Sequence, residues 1–343
     1  MKPILNIQQQ LVPDLLDIMQ KRYRLLQAVR IAGTAGRRTL AQSLSMTERV
    51  VRSEAEFLKE RGLLDFSASG MKLTETGMDV VRELEELMLE LKGIDSMAAE
   101  LKARYNLSEA IIIPGNCDES AFVKKAIGEA CISRIKSQLS GNTIIAVTGG
   151  STMAEAARTM KPDFAEGKQV LFVPARGGIG DDVRNEANTV AALMAQNTNG
   201  SHRVLYAPER ISPDVRESLL QEPAIKEAVR MIQSADIVLH GVGNAISMAR
   251  RRQTPDAELS MLEQNEAVAE AFGYYFNKDG EVIQKLSTIG LKLDDLQHAK
   301  VVIAAAGGAS KGKAIRSYLN GSPKLDILVT DEAAAKELLE DLS

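Results

Sequence analysis

The chain has 343 residues, of which 45% are hydrophobic and 26% charged, and it contains no tryptophan. This length predicts two domains, and the composition excludes a disordered or fibrous protein. The sequence has neither an apolar run long enough for a transmembrane helix nor a signal-peptide pattern, so we expect a cytoplasmic protein without a membrane partner. Cys117 and Cys131 show no disulfide-framework or zinc-site spacing, and no metal or cofactor is predicted.

The formal net charge of −4 does not favour DNA binding, but the charge is unevenly distributed. Residues 21–61 contain ten Lys or Arg and only four Asp or Glu, which makes this segment +6 and the remainder −10. A basic segment attached to an acidic body is typical of a protein that contacts nucleic acid at one end. The alternative is a solvated helical face with incidental charge.

The N-terminal segment has the pattern of a winged helix-turn-helix. Helical spacing of apolar residues predicts a first helix over 21–33, ending at Gly33. Residues 38–44 and 47–62 predict a helix–turn–helix pair, and the apolar runs within 63–77 predict a β-hairpin, the wing. The alternative is any small helical domain, but the added hairpin and basic charge favour DNA binding.

The second helix of such a pair enters the major groove of DNA. Thr47 is the predicted N-cap of this helix, and Val50, Val51, Phe57 and Leu58 are predicted to face inward. Outward residues then form the predicted DNA-binding set, in which Arg49, Arg52 and Ser53 contact base edges: Arg37, Arg38, Thr47, Glu48, Arg49, Arg52 and Ser53.

Residues 77–107 predict a helical linker with apolar residues at alternating steps of four and three. Such a stripe could form a coiled coil between two chains, or the helix could lie along the second domain. Gly93 in the middle of the stripe weakens the coiled-coil interpretation. The stripe comprises Val80, Leu84, Leu87, Leu91, Ile94, Ala98 and Leu101.

From residue 110 onward, apolar runs end in glycine-rich turns and alternate with helical stretches. Near-continuous Val, Ile and Leu predict strands buried on both faces, which indicates a doubly wound, mostly parallel, Rossmann-like α/β domain. The predicted domains are 1–76, the linker 77–107, and 108–343. The seven runs are IIIPG, TIIAVTGG, QVLFVPARGG, HRVLYAP, DIVLHGVG, VVIAAAGG and DILVTD.

Ligands of such sheets bind at the carboxyl ends of the strands. After one predicted strand, Gly149 and Gly150 permit a tight turn, while Ser151 and Thr152 open a helix, a combination that can hold phosphate. An ordinary strand-to-helix turn is the alternative. The pattern is neither a Walker A loop nor a dinucleotide fingerprint, so nucleotide hydrolysis is not predicted.

Three other strand ends carry basic residues. Lys311 follows Gly307 and Gly308 and could reach a phosphate, whereas Arg176 directly follows a strand and could clamp an anion with two hydrogen bonds. Residues 250–252 are three consecutive arginines beyond another strand, and we expect at least one to point inward. These three basic strand ends, together with the turn at Gly149 and Gly150, make four potential anion sites at one edge of a sheet and predict a doubly anionic ligand.

Evidence for catalysis is weak in the sequence. The three histidines, His202, His240 and His298, lie far apart, and His240 within a buried strand is typical of a core residue. Four acidic residues near the glycine turns could act as acid and base on a sugar ring. We favour recognition of sugar hydroxyls instead by these residues, which are Asp181, Asp182, Glu186 and Glu270.

The ordered set VTGGST, VPARGG, HGVGNA, AFGYYFNKDGE and AAGGASKGKAI, preceded by a wing and a heptad linker, resembles the sugar-binding transcriptional regulators of the SorC type. The resemblance covers nearly the whole chain. It implies an effector domain like that of glucosamine-6-phosphate deaminase and ribose-5-phosphate isomerase, serving as a sensor and not as an enzyme. Many members have an acidic Gly-Asp-Ile-Gly-type segment where this chain reads AVAEAFGYYFNKDG, which argues against a generic monophosphate sensor.

The resemblance also implies a ligand and a mode of action. We expect a repressor of glycolytic genes that binds operator DNA as a homo-oligomer, dimer or tetramer, and that is released by fructose 1,6-bisphosphate, with the linker as relay. Gly149 to Thr152 would hold one phosphate, while Arg251 and Lys311 would add charged contacts. The predicted effector-binding set is Gly149, Gly150, Ser151, Thr152, Arg176, Glu186, Arg251, Glu270 and Lys311.

Two other functions remain open from the sequence. A sugar-phosphate isomerase or deaminase with an accessory helical domain would turn over its ligand, but it leaves the basic wing unexplained. A non-catalytic sugar-phosphate module that contacts protein instead of DNA would show no salt-dependent affinity for duplex DNA.

Overall fold

The computed structural model describes residues 13–91, 93–178 and 182–340. The expectations for residues 1–12 of the first domain and for Asp181 lie outside the described residues. The chain divides into two compact units, one of residues up to 97 together with 114–123, and one of residues 98–113 together with 124–343. The predicted linker is therefore shared between the two units.

The first unit is a winged helix-turn-helix. Its buried core joins the helices to the hairpin through Leu26, Leu40, Val51 and Met71. Ala35 adds a bridge to the hairpin, because its backbone exchanges two hydrogen bonds with Met71, at 3.0 and 2.9 Å. The elements are α1 (Pro13–Ala32), α2 (Arg37–Ser43), α3 (Glu48–Glu60), β1 (Leu64–Ser67) and β2 (Gly70–Leu73).

The predicted linker is two helices and not one. Helix α4 spans Glu75–Leu91 and α5 spans Ile94–Arg104. Gly93 between them has φ +64°, a conformation that glycine adopts at little cost and that ends a helix. Val80 and Leu84 of the stripe pack against the core of the first unit, so this half of the stripe is used within the chain.

The second unit is built on a seven-stranded sheet in which every neighbouring pair is parallel. All seven predicted runs contribute a strand, and the mostly parallel α/β fold is confirmed. The strands lie in the order β3, β13, β12, β7, β4, β5, β6. Their bounds are β3 (Glu109–Ile113), β4 (Asn142–Val147), β5 (Gln169–Pro174), β6 (Ser201–His202), β7 (Ile237–His240), β12 (Val301–Ala305) and β13 (Ile327–Asp331).

The fourth predicted run, HRVLYAP, is strand only at its first residue. Beyond β6 the backbone of Leu205 forms hydrogen bonds with the Asn188 side chain and not with a neighbouring strand. The Asn188 amide group accepts from the Leu205 amide at 2.9 Å and donates to the Leu205 carbonyl at 3.0 Å. The amide of Gly178 then donates to the Ala207 carbonyl at 3.2 Å. These bonds replace a strand ladder at the edge of the sheet.

Helices alternate with these strands, as predicted for a doubly wound domain. They are α6 (Ala121–Gln138), α7 (Ser151–Thr159), α8 (Ala187–Thr198), α9 (Pro213–Gln221), α10 (Pro223–Gln233), α11 (Ala245–Arg251), α12 (Asp256–Gln264), α13 (Gly312–Gly321) and α14 (Glu332–Leu339). Short 3-10 turns occur at Pro162–Phe164, Val183–Asn185, Asp294–His298 and Ala309–Lys311.

A small antiparallel sheet was not predicted from the sequence. Its strands lie in the order β11, β10, β9, β8 and pack over a separate apolar cluster that includes Tyr275 and Leu262. The strands are two to four residues long, too short for a clear alternation of apolar and polar residues. They are β8 (Gly243–Asn244), β9 (Ala269–Ala271), β10 (Tyr274–Phe276) and β11 (Val282–Lys285).

Candidate DNA-contact surface and ligand pocket

All seven predicted DNA-contact residues are exposed on α2, α3 or the turn between them. Thr47 caps α3 as predicted, since its hydroxyl accepts from the Val50 amide at 3.3 Å. Two of the arginines are in exposed ion pairs, Arg38 with Glu48 at 3.4 Å and Arg52 with Glu56 at 2.8 Å. Exposed pairs of this kind are weak, so these arginines can change partner at little cost.

Two of the four predicted inward residues of α3 lie elsewhere than expected. Val51 and Leu58 are buried, but Val50 is 36% exposed. One step along a helix rotates the side chain by about 100°, and on α3 this step takes Val50 beyond the buried face that Val51, Ala55 and Leu58 share. Phe57 is half-buried, with the Arg22 guanidinium 3.6 Å from its ring centroid.

The largest concentration of predicted site residues surrounds one pocket of about 160 Å³ in the second unit, here called the main pocket. Chain connections run from β4 to β5 on one side and from β7 to β12 on the other, although β4 and β7 are neighbours. Ligands of open α/β sheets bind where the strand order reverses in this way. Thr148 to Gly150 after β4 and Gly241 to Gly243 after β7 both line the main pocket.

Backbone geometry explains the glycines after β4. A Cβ on Gly149 would collide with the Asn185 carbonyl, and Gly150 has φ +121°, which L side chains rarely adopt. The Gly150 amide donates to the Asn185 carbonyl at 2.8 Å. Gly150 is the N-cap of α7, so the first amides of this helix are directed at the pocket side, where an anion is favoured.

All nine residues of the predicted effector-binding set line the main pocket. Arg251 is the last residue of α11, and Lys311 ends the 3-10 turn that follows Gly308. Glu186 is the N-cap of α8. Glu209 and Arg252 also line the pocket but were missing from the predicted set.

Arg252 and Glu209 are the centre of a buried ion network, and each side chain is only 4% exposed. Arg252 Nε and Nη2 donate to the two Glu209 carboxylate oxygens at 2.8 and 2.9 Å. The Nη2 atom also lies 3.0 Å from Glu270 Oε1, and Nη1 donates to the Tyr275 hydroxyl at 3.2 Å. This fork-shaped pairing is the geometry that arginine forms with carboxylates.

Arg176 belongs to the same network. It was expected to clamp a bound anion, but it pairs with two carboxylates of the protein instead. Its Nη1 donates to Glu270 Oε1 at 3.2 Å, and its Nη2 forms an ion pair with Glu209 Oε1 at 2.7 Å. Nε and Nη2 are buried without hydrogen-bond geometry to any described residue. Two arginines and two glutamates cancel in charge, so the remaining cationic side chains at the pocket are Arg251 and Lys311.

In this network the interactions between opposite charges shift the pKa values of Glu270 and Arg252 more than desolvation does. Desolvation raises the pKa of the Glu270 carboxyl, but Arg252, Arg176 and the Gly273 amide together lower it below its usual value. Desolvation likewise lowers the pKa of Arg252, whereas Glu270 and Glu209 raise it to a net increase. Both residues are therefore charged, and Glu270 is an acceptor and not a general acid.

A two-residue turn between β9 and β10 positions Glu270. Phe272 and Gly273 both have positive φ, +54° and +78°, as a type I′ hairpin requires. Phenylalanine is strained in this conformation. The Gly273 amide donates to Glu270 Oε1 at 2.7 Å, which stabilises the turn and leaves Phe272 lining the pocket.

His240 is a buried core residue, as its position in an apolar strand predicted. Its Nδ1 lies 3.1 Å from the Gly241 carbonyl and its Nε2 lies 3.1 Å from the Tyr318 hydroxyl. Burial lowers the pKa of His240 to about 4, so the imidazole is neutral near pH 7. Its ring lies 4.8 Å from that of Phe272, which places it behind the wall of the main pocket.

Of the other candidates for acid–base chemistry, Glu186 lines the main pocket, whereas His202, His298 and Asp182 do not. His202 and His298 are exposed. Asp182 caps a 3-10 turn and pairs with Arg184 at 3.0 Å, while Asp181 lies outside the described residues. Among the described residues, no group of three or more His, Cys, Asp or Glu could hold a metal ion, and no helix is long and apolar enough to cross a membrane.

Comparison with known proteins matches both units. Residues 90–340 match the family model described as "Putative sugar-binding domain", and residues 18–88 match the "CggR N-terminal DNA binding domain". The chain is 47% identical over its full length to the central glycolytic genes regulator of Priestia megaterium. It is 46% identical over 99% of its length to the protein of that name from Bacillus subtilis, and both relatives are covered completely.

This chain belongs to the family of the central glycolytic genes regulators. Among solved structures, the "putative SorC family transcriptional regulator" from Enterococcus faecalis is 43% identical, with a TM-score of 0.68 over 71% of this chain and 100% of that one. The full-length sorbitol operon regulator SorC from Klebsiella pneumoniae has the same fold, with 18% identity and a TM-score of 0.63 over 92% of this chain and 99% of that one. The family consists of DNA-binding, sugar-binding regulators and not of enzymes, as the sequence predicted.

Proposed function

We propose that this protein is a cytoplasmic repressor of glycolytic genes, bound to operator DNA as a homo-oligomer and released by fructose 1,6-bisphosphate. Full-length identity to two proteins named for central glycolytic genes supports the regulated genes. The main pocket supports the ligand: it combines a helix N-terminus with Arg251 and Lys311, three features that favour anionic oxygens.

The sugar ring would lie against the charged network. Glu270 and Glu186 would be carboxylate acceptors for sugar hydroxyls, and the amides of Ser151 and Thr152 would hold one phosphate, since the Gly150 amide already donates to Asn185. The second phosphate would be held by Arg251 and Lys311. The buried, incompletely bonded Arg176 guanidinium is available to donate to a ligand oxygen, in place of the clamp first expected.

DNA binding would use the exposed face of α2 and α3, with Arg49, Arg52 and Ser53 on base edges. A ligand can weaken this binding only by its higher affinity for a conformation that binds DNA poorly. The glycine-separated helices α4 and α5 lie where the two units meet along the chain, and we propose them as the relay.

The decisive experiment is titration of fructose 1,6-bisphosphate into the full-length protein bound to a duplex from upstream of a glycolytic operon, at fixed salt. Fluorescence anisotropy should show weaker operator binding, and the sugar should be recovered unchanged. Fructose 6-phosphate, which lacks one phosphate, is the matched ligand and should act only at higher concentration. Absence of operator affinity, tighter binding with the bisphosphate, or consumption of the sugar would each overturn this proposal.

A further inference from the structure

A second cavity in the second unit, here called the basic cavity, shares no lining residue with the main pocket. Its volume is about 290 Å³, which suits a small ligand. It lies beside the β10–β11 ladder and the loop that follows it. Its polar lining consists of Arg216, Tyr274, Lys285, Ser287, Thr288 and Lys292.

Three of these residues are cationic, and none of the three forms an ion pair with a described residue. Arg216 Nε donates to the Thr288 carbonyl at 3.0 Å, which fixes the guanidinium at the cavity wall. Lys285 Nζ lies 4.8 Å from the Tyr274 ring centroid. The nearby Asp295 carboxylate accepts from the Lys292 backbone amide at 2.9 Å, not from its ammonium group.

Positive charge gathered in one cavity is unusual on this body. Outside residues 21–61 the chain carries a net charge of −10, and several lysines elsewhere in the second unit are paired, as Lys300 is with Asp236 at 2.9 Å. Uncompensated cations around a cavity with low-dielectric walls raise the local concentration of anions. The basic cavity therefore attracts an anion even though the body as a whole repels one.

The remaining polar groups of the cavity are hydroxyls. Those of Tyr274, Ser287 and Thr288 make no hydrogen bond with a described residue. Tyr274 is only 8% exposed, so its ring forms part of the cavity wall and does not project into solvent. A lining of cations and hydroxyl donors without a carboxylate matches an acceptor-only ligand with several oxygens.

We propose that the basic cavity binds a phosphate dianion, either free or as the monoester of a small metabolite. Arg216 contributes a planar pair of donors, and Lys285 and Lys292 contribute point charges. The cavity volume fits this size of ligand, whereas a nucleic-acid backbone needs an extended basic groove. This site is independent of the function proposed for the main pocket.

The test is calorimetric titration of inorganic phosphate and of glycerol phosphate into the full-length protein, at constant ionic strength. The Lys311→Ala protein is used in parallel, so that binding at the main pocket is separated from binding at the basic cavity. Removing both lysines, with Lys285→Gln and Lys292→Gln together, should weaken the remaining phosphate binding by about tenfold or more. Stronger binding of glycerol phosphate than of phosphate would identify the monoester as the ligand, and the reverse would identify the free ion.

A matched control carries Lys161→Gln and Lys226→Gln, two exposed lysines that line neither cavity and whose loss changes the net charge equally. Its phosphate affinity should equal that of the unmodified protein, and unfolding midpoints of all variants should agree. If the control lost as much phosphate affinity as the cavity variant, the loss would be explained by net charge alone and the proposal would be overturned. Absence of saturable phosphate binding, or loss of duplex DNA affinity instead of phosphate affinity in the cavity variant, would overturn it as well.

Discussion

The charged side chains of the predicted DNA-contact set are exposed to water, whereas two arginines and two glutamates of the main pocket form a connected buried network. On α3, Arg52 pairs with Glu56, and both side chains are more than half exposed. In the pocket, Arg252 bonds Glu209 with two nitrogen atoms, while a third reaches Tyr275. Weakly paired surface arginines can rearrange onto a flexible polyanion, but a network fixed before binding can select one small ligand by shape.

The comparison predicts that the pocket network carries folding stability and the α3 surface does not. Removing the Arg252 guanidinium with Arg252→Leu leaves two buried carboxylates with one arginine, which should lower the free energy of unfolding by about 3–5 kcal/mol. Urea unfolding of the full-length protein measures this loss. The neighbouring Arg250→Leu is the matched control, because Arg250 is 67% exposed and pairs on the surface with Glu263, and it should change stability by about 0.5 kcal/mol or less. Similar losses in the two variants would refute a buried network.

The burial of His240 behind the pocket wall predicts that the stability of the fold depends on pH. The pKa of His240 is about 4 in the folded protein and near the ordinary value of 6.5 when unfolded. Between these values the unfolded chain binds more protons, so stability is lost as pH falls from 6.5 to 4, by about 3 kcal/mol in total. Free energies of unfolding measured across this range should show a flatter pH profile for His240→Gln than for the unmodified protein.

The Tyr318→Phe variant separates titration of His240 from its hydrogen bond. It removes the hydroxyl 3.1 Å from His240 Nε2 but retains the imidazole, so the steep acid-side profile should persist. If His240→Gln and the unmodified protein lose stability in parallel, the loss of stability in acid has another source.

The two surfaces should also be separable in function. Lys311→Ala and Thr152→Ala each remove a group at the main pocket and should raise the fructose 1,6-bisphosphate concentration needed for release by about ten- to a hundredfold. Operator affinity without sugar should stay unchanged, because neither residue belongs to the DNA-contact set. Anisotropy titrations with and without the sugar measure both quantities. An equal fall in operator affinity would mean that the two sites are not independent.

The sequence predicts the parallel sheet better than it predicts the network. Seven apolar runs produced seven strands because a buried parallel strand is nearly continuous in Val, Ile and Leu. The pairing of Glu209 with Arg252 joins residues 43 positions apart, and no periodicity connects them. The available signal was the acidic residue directly after the run HRVLYAP, together with an arginine triplet after another strand.

Local patterns failed where one residue decides between two faces or two elements. Val50 and Val51 are adjacent apolar residues and were both predicted to face inward, yet only Val51 is buried and Val50 is exposed. The heptad stripe runs through Gly93 without interruption, but the positive φ of that residue ends one helix before the next begins. Short strands such as β8 and β9 depend on contacts distant in sequence: Gly243 pairs with Glu270, and Arg176, 94 positions away, donates to the Glu270 carboxylate.

The smallest predicted effect concerns the exposed side of the comparison. Arg49→Ala should weaken operator binding by about tenfold if Arg49 contacts a base edge, with most of the discrimination between operator and unrelated duplex lost. If it contacts a phosphate, both duplexes should weaken alike, and the slope of log affinity against log salt should fall by about one. Titrations of both duplexes over a salt series distinguish the two contacts, and the unfolding free energy should stay within about 0.5 kcal/mol because the side chain is exposed. Unchanged affinity and salt slope would remove Arg49 from the DNA-contact set and shift the expected base contacts toward Arg52 and Ser53, one helical turn further along α3.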